Sequence, residues 1–155
     1  GASLQDTDHF FARLKNYGVA RTQALRLPGP QRAEPLATSA LPGLFEQAAS
    51  EAVPIMVFVG NRHCIQIHSG PVNNLRWMDT WFNVLDADFN LHLKTLSVHE
   101  LWRVRKPSSD GVINSWEAYD ENGEIIVQLF GARKPGVPEL TAWRDIAERC
   151  PRLEA

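Results

Sequence analysis

Three β-prone runs lie between Leu101 and Gly136, and this stretch constrains the fold more than any other part of the chain. The dipeptides Asp110-Gly111 and Asn122-Gly123 separate the runs. Such dipeptides favour turns between antiparallel strands, because they accept the positive φ that these turns require. The stretch therefore predicts two consecutive hairpins, which together form a β-meander.

Side-chain alternation divides the last of the three runs into two faces. One face is purely apolar and has Ile125, Val127 and Leu129. The other face includes an amide and has Ile126, Gln128 and Phe130. We expect the apolar set to pack on a core. The other set has cationic residues near its ends, Lys106 and Arg133, which suits a flat apolar ligand that carries carboxylates. The alternative is that both cations are ordinary solvated charges, as most Lys and Arg residues are.

Composition narrows the class of protein. A chain of 155 residues fits one domain, here taken as 1–155, and can bury an adequate core. The net charge of −2 argues against binding to nucleic acid. No apolar run approaches the roughly 20 residues that span a bilayer, so we expect no membrane insertion. Two cysteines without metal-binding spacing, Cys64 and Cys150, predict reduced thiols and a cytoplasmic location.

The remaining patterns predict an α+β fold. Helical spacing indicates helices over residues 6–17, 20–26 and 37–51, the last interrupted near Pro42, so we expect residues 1–53 to be helical. From residue 54 the period changes to two, and residues 54–133 predict a large antiparallel meander sheet of about eight strands, with residues 55–60 as a central strand buried on both faces. An amphipathic helix over 138–150 would bury Leu140, Trp143, Ile146 and Ala147.

His9 stands apart from the other histidines because it lies in the first turn of a predicted helix. The helix dipole there disfavours the imidazolium, which leaves a ring nitrogen available to bind a metal. Such a position suits an axial ligand of heme iron, and it suits an ordinary surface histidine equally well. The other four histidines lie in or beside predicted strands, where a hydrogen-bonded structural role is the usual one.

Several segments, in this order, resemble the second half of the bacterial cytoplasmic hemin-degrading and hemin-trafficking proteins: PIMVFVGNR, CIQIHSG, WFNVLD, FNLHL, VRKP and QLFGAR. The resemblance runs from about residue 7 to the final helix. Members of that family are usually twice this length and consist of two similar halves. The resemblance therefore implies that this chain corresponds to one half, with heme as the ligand.

The resemblance also implies which residues contact the heme. By position, Arg21 matches an arginine that opens the second helix, Phe58 a pocket phenylalanine, and Lys106 the lysine of the Arg-Lys-Pro motif. Gln128 and Arg133 match polar residues of the last strand, and Phe130 stands where the family often has tyrosine. Alignment on Phe10-Phe11 places Asp8, rather than His9, at the usual axial position. We predict His9 as the iron ligand, with Asp8 as the alternative.

Three functions follow from this resemblance. The first is carriage of hemin after uptake for iron acquisition, with a heme transporter or a heme oxygenase as the partner protein. The second is oxygenase-like degradation of heme, for which no distal donor or catalytic residue can be identified in this chain. The third is a half-domain without a ligand that forms a homodimer or pairs with a similar half, since a lone sheet would expose edges and apolar surface.

Overall fold

The computed structural model describes residues 32–60, 65–134 and 136–149. These residues form nine strands and two α-helices. The strands are β1 Arg32–Leu36, β2 Ile55–Gly60, β3 Ile65–Gly70, β4 Leu75–Met78, β5 Trp81–Asp86, β6 Phe89–Lys94, β7 Glu100–Ser108, β8 Gly111–Tyr119 and β9 Ile125–Gly131. The helices are α1 Leu41–Ser50 and α2 Thr141–Arg149, and short 3₁₀ turns cover Thr38–Ala40 and Thr95–Ser97. Neither α-helix is long and apolar enough to cross a membrane.

The strands form two antiparallel sheets. The larger has six strands in the order β1-β7-β8-β9-β2-β3, and the smaller has three in the order β4-β5-β6. The predicted meander is confirmed, because β7, β8 and β9 are neighbours in sequence and in the sheet. Gly111 and Gly123 have φ values of 100° and 76°, as the two turns require. Strand β2 pairs with β9 and extends the meander.

The main core lies on one face of the six-stranded sheet, which we call the inner face. Val57, Leu101, Trp116 and Leu129 project from this face, and each is at most 1% exposed. Apolar side chains of α1, α2 and the small sheet pack with them in a single cluster. Phe45 of α1 contacts Phe82 of β5, for example, with ring centroids 5.7 Å apart. The small sheet and both helices therefore enclose the inner face.

Helix α2 is held to the inner face by a close approach and by hydrogen bonds. A Cβ at Gly131 would lie 2.6 Å from Cγ of Trp143, so only glycine leaves room for this indole. The Trp143 Nε1 group donates to the carbonyl of Asn114 at 3.0 Å. At the other end of the helix, Trp116 Nε1 donates to the carbonyl of Ala147 at 3.1 Å. Strand β8 thus binds both ends of α2.

Arg103 adds a cation at the C-terminal end of α2, where helix carbonyls lack partners within the helix. Its NH1 group donates to the carbonyls of Ala147 and Glu148, at 3.2 and 3.0 Å. Its NH2 group pairs with Glu34 of β1. Nearby, a hydrogen bond and the charge of Glu51 raise the pKa of the exposed Arg149 guanidinium. These contacts join α2 to both β1 and α1.

The α+β class is confirmed, but three expectations about its elements are wrong. The helical segment 1–53, for which only helices were predicted, contains strand β1. Pro42 does not interrupt α1; it occupies the first turn, where the missing N–H is not needed. The antiparallel strands divide into two sheets, because the unpredicted strand β4 pairs with β5 instead of joining the large sheet. The predicted helices at 6–17 and 20–26 lie outside the described residues.

Two predicted faces also need correction. Strand β2 is buried on one face and half-buried on the other, although its composition favoured burial on both. Helix α2 begins at Thr141, so Leu140 precedes it and is 39% exposed. Trp143, Ile146 and Ala147 are buried, as the helical spacing predicted.

Candidate functional site

The face opposite the core, which we call the outer face, brings the predicted strand residues together. Phe58 of β2 lies directly opposite Gln128 of β9. Gln128 in turn lies opposite Glu117 of β8, which lies opposite Trp102 of β7. Paired residues on neighbouring strands share a face, so these four side chains form one row across the sheet. The predicted alternation of Gln128 and Phe130 against Val127 and Leu129 is confirmed.

Two phenylalanines form the apolar part of the outer face. Phe58 and Phe130 pack edge to face, with ring centroids 5.7 Å apart and an interplanar angle of 88°. Both residues are half-buried. Met56, also half-buried, lies opposite Phe130. This arrangement offers a flat aromatic molecule an apolar surface, and Phe130 contributes its ring to it without the hydroxyl that tyrosine would bring.

A carboxylate and an amide form the polar part of the same row. Glu117 is fully buried, and its Oε1 atom accepts a hydrogen bond from the Tyr119 hydroxyl. Its Oε2 atom accepts a longer hydrogen bond, 3.5 Å, from Nε2 of Gln128. The NH₂ group of Gln128 therefore faces this carboxylate. The other end of this amide is its carbonyl oxygen, which is a hydrogen-bond acceptor.

Glu117 and Tyr119 were not identified from the sequence. Alternation along β8 would place both on one face, but their importance depends on the pairing of β8 with β9. Residues 115–118 follow a simple antiparallel register with β9, and the register then shifts between Ala118 and Tyr119. Only that register sets Glu117 beside Gln128.

The same register shift corrects the faces of two residues in β9. Ile125, which was predicted to face the main core, packs with a second apolar cluster that includes Trp102 and Tyr119. Ile126, which was predicted to share a face with Gln128, packs against the main core. A β-bulge adds one residue to a strand and thereby reverses the alternation beyond it.

The two predicted cations lie towards the end of the sheet that carries the β7–β8 turn. Lys106 is exposed and pairs with Ile113, two residue pairs before the pair Ser108–Gly111 that closes the turn. Among the described residues it forms no ion pair. Arg133 follows the end of β9 and is 22% exposed. Its NH1 group donates to Asp110 in the turn and to the carbonyl of Val137, each at 3.0 Å. Lys106 is therefore exposed to solvent, whereas Arg133 is held by contacts with the turn and with Val137.

The described histidines have structural partners or lie apart from this row. His68 is on the inner face, stacked on Phe89 with ring centroids 4.3 Å apart. His92 Nδ1 lies 2.7 Å from the side-chain oxygen of Asn83 in the small sheet. No group of three His, Cys, Asp or Glu residues within the described part of the chain is arranged to hold a metal ion. The predicted ligands His9, Asp8 and Arg21 lie outside the described residues and stay predictions.

Comparisons with known proteins identify relatives of this chain. The sequence is 39% identical over 143 residues to the hemin transport protein HemS of Yersinia enterocolitica. The fold matches holo-PhuS, a heme-binding protein from Pseudomonas aeruginosa, with a TM-score of 0.82 and 64% sequence identity over 94% of this chain. It also matches ChuS, an E. coli heme oxygenase, with a TM-score of 0.77 and 40% identity over 89% of this chain.

These relatives are longer proteins. The matched part is 41% of HemS and 42% of both PhuS and ChuS, so the chain spans about two fifths of their length. Residues 18–150 match the family described as the haemin-degrading HemS/ChuX domain. That match covers most of the sequence and includes every strand of the outer face. The chain therefore belongs to the haemin-degrading HemS/ChuX domain family.

Proposed function

We propose that this chain is a heme-binding domain that carries hemin in the bacterial cytoplasm after its uptake, for iron acquisition. The observation that carries the proposal is the outer face, where Phe58 and Phe130 form a half-buried apolar surface beside the Gln128 amide. The 64% identity to a heme-binding protein over 94% of the chain supports the same ligand.

The chemistry of this face fits a porphyrin. Its flat apolar ring would lie against Phe58 and Phe130, since burial of apolar surface favours such contact. Lys106 and Arg133 would pair with its propionates through charge-assisted hydrogen bonds. Gln128 would offer its carbonyl oxygen, which suits a hydrogen-bond donor and disfavours a propionate. Heme would bring an iron that takes a protein ligand, and His9, with Asp8 as the alternative, is proposed for that role. Arg21 is proposed as a further contact of the heme.

Titration with hemin, followed by absorption, tests this function. We expect a saturable Soret band with low-spin visible bands, and we expect both to be lost in His9→Ala. His99→Ala is the matched control, because His99 is an exposed histidine of the described chain. Saturation that survives His9→Ala but not Asp8→Ala would transfer the ligand role to Asp8. Absorbance that never saturates and resembles that of free hemin would refute heme binding.

Degradation of heme is the second candidate, because ChuS, 40% identical here, is described as a heme oxygenase. Ring opening requires molecular oxygen and an external electron donor. Incubation of the hemin complex with a reductant in air separates the two functions. A Soret band that stays constant supports carriage alone. Decay of the Soret band, with release of iron and a linear tetrapyrrole, supports degradation. The decay must persist when catalase is added, because catalase removes the hydrogen peroxide that could itself destroy heme.

A third proposal concerns partner proteins. Exposed apolar side chains cluster on the β4–β5 hairpin, where Met78 and Trp81 are opposite each other and are 57% and 41% exposed. Such patches are typical of interaction sites. We propose that this chain forms a homodimer or pairs with a similar half, and that a heme transporter or a heme oxygenase exchanges hemin with it. A strictly monomeric mass by light scattering would exclude the homodimer.

A further inference from the structure

Within the described part of the chain, Arg133 forms hydrogen bonds through one of its two terminal nitrogens. NH1 donates to Asp110 Oδ2 and to the carbonyl of Val137, each at 3.0 Å, and lies 3.5 Å from the carbonyl of Lys134. Among the described residues, Nε and NH2 of Arg133 make no hydrogen bond. The guanidinium is planar, so fixing NH1 at several acceptors also fixes the direction of the other two nitrogens.

The side of the guanidinium formed by Nε and NH2, which we call the free edge, has the geometry that binds carboxylates. Nε–H and one N–H of NH2 point the same way and form a fork that matches the two oxygens of a carboxylate. Asp110 occupies neither of these donors. Its contact with NH1 therefore leaves the bidentate edge available and reduces the rotamer freedom that Arg133 would lose on binding an anion.

Asp110 is itself held in place. Its Oδ2 atom also accepts from the backbone N–H of Gly136 at 3.1 Å, and its own backbone N–H donates to Ser108 Oγ at 3.1 Å. Ser108 in turn donates to the carbonyl of Gly111 at 2.6 Å. Asp110 and Arg133 are 23% and 22% exposed, so the pair is partly shielded from water. The turn therefore fixes the carboxylate, and the carboxylate fixes the guanidinium.

We propose that Asp110 is a positioning residue, which orients Arg133 so that its Nε–NH2 edge binds a carboxylate of the porphyrin. This inference rests on the proposed function, because it names the chemical group that the Arg133 end of the site selects. It assigns Asp110 a role in selecting ligands that carry free carboxylates. The opposite role, in which Asp110 competes with the ligand for Arg133, predicts an opposite effect of removing Asp110.

The test compares hemin with its dimethyl ester, which has the same ring but no carboxylate. We expect Asp110→Ala to weaken hemin binding about 3- to 10-fold, in the range of one ordinary hydrogen bond, and to leave binding of the ester unchanged. Arg133→Ala should weaken hemin binding at least as much. If Asp110 acts through Arg133, the double variant should bind hemin no more weakly than Arg133→Ala alone.

Asp120→Ala is the matched control. Asp120 is also an aspartate in a hairpin turn, but the described contacts of its carboxylate are with the backbone N–H groups of Asn122 and Glu124. We expect this variant to bind hemin and the ester like the unmodified chain. Asp110→Ser, which keeps a small polar turn residue but removes both carboxylate oxygens, replaces Asp110→Ala if the latter does not fold. Circular dichroism of each variant establishes folding.

Other outcomes overturn the inference. Tighter hemin binding by Asp110→Ala would make Asp110 a competitor. Equal losses for hemin and the ester would make its role purely structural, and losses that add in the double variant would show that it acts independently of Arg133. If the unmodified chain does not bind hemin saturably, the proposed function fails first, which distinguishes that failure from the others.

Discussion

The two faces of the six-stranded sheet use their polar groups differently. On the inner face, Arg103, Trp116 and the carbonyl of Asn114 all bond to α2, so these groups hold the fold together. On the outer face, Glu117 and Gln128 bond to each other, and Lys106 remains exposed. Polar groups that bind a neighbouring element stabilise the fold, whereas an exposed cation such as Lys106 stays available to the proposed ligand.

The apolar groups differ in the same way. Trp116, Leu129 and Trp143 on the inner side are at most 1% exposed, whereas Phe58 and Phe130 on the outer face are half-buried. A half-buried aromatic ring gains further burial only when a ligand covers it. We therefore expect substitutions on the inner face to change the free energy of unfolding and substitutions on the outer face to change the affinity for hemin.

Trp143→Ala should give the largest effect. Trp143 is fully buried against Gly131, and its removal leaves a cavity and an unpaired carbonyl at Asn114. We expect the free energy of unfolding to fall by about 3–5 kcal/mol, measured by urea denaturation. Trp81→Ala is the matched control, because Trp81 is 41% exposed on the small sheet. Equal losses in the two variants would contradict the assignment of the core to the inner face.

Arg103→Met should give the next largest effect. The variant keeps most of the buried aliphatic stem but removes the donors to the carbonyls of Ala147 and Glu148 and the partner of Glu34. Loss of buried hydrogen-bond partners should lower the free energy of unfolding by about 1–3 kcal/mol. Because Arg103 is on the inner face, hemin affinity of the folded variant should be unchanged. If Arg103→Met lost hemin binding while its free energy of unfolding stayed unchanged, the structural role assigned to Arg103 would be contradicted.

The sequence predicted the local part of the fold well. Asp110-Gly111 and Asn122-Gly123 identified both hairpins of the meander, because their turn chemistry depends only on adjacent residues. Alternation likewise separated Gln128 and Phe130 from the core. It did not locate the bulge beside Tyr119, because a bulge depends on how β8 pairs with β9.

Non-local pairing explains the other differences. The segment Arg32–Leu36 has no local pattern that predicts a strand, and it forms β1 by pairing with the edge of β7. The sequence therefore did not predict β1. Strand β4 was missed for the same reason, since its four residues form a strand by pairing with β5. For the candidate site, the sequence and the resemblance identified Phe58 and Gln128. They did not identify Glu117, Tyr119 or Asp110, whose roles depend on contacts across strands.

Phe58→Ala tests the outer face. Removal of the ring exposes Phe130 and deletes part of the apolar surface proposed for the porphyrin. We expect hemin affinity to fall about tenfold, which corresponds to roughly 1.4 kcal/mol. The free energy of unfolding should fall by less than in Trp143→Ala, because Phe58 is only half-buried. Leu85→Ala, at a 36% exposed position of the small sheet, is the control and should leave hemin binding unchanged.

Lys106→Met should give the smallest effect and the most specific one. Lys106 is exposed and lacks an ion pair among the described residues, so its replacement should barely change stability. If it pairs with a propionate, hemin affinity should fall about 2- to 3-fold at low salt, as expected for an exposed ion pair. The difference should disappear at high salt, because salt screens exposed charges. Lys94→Met, on the small sheet, is the control for net charge. An equal decrease of hemin affinity in that variant would show that Lys106 acts only through the charge of the whole molecule.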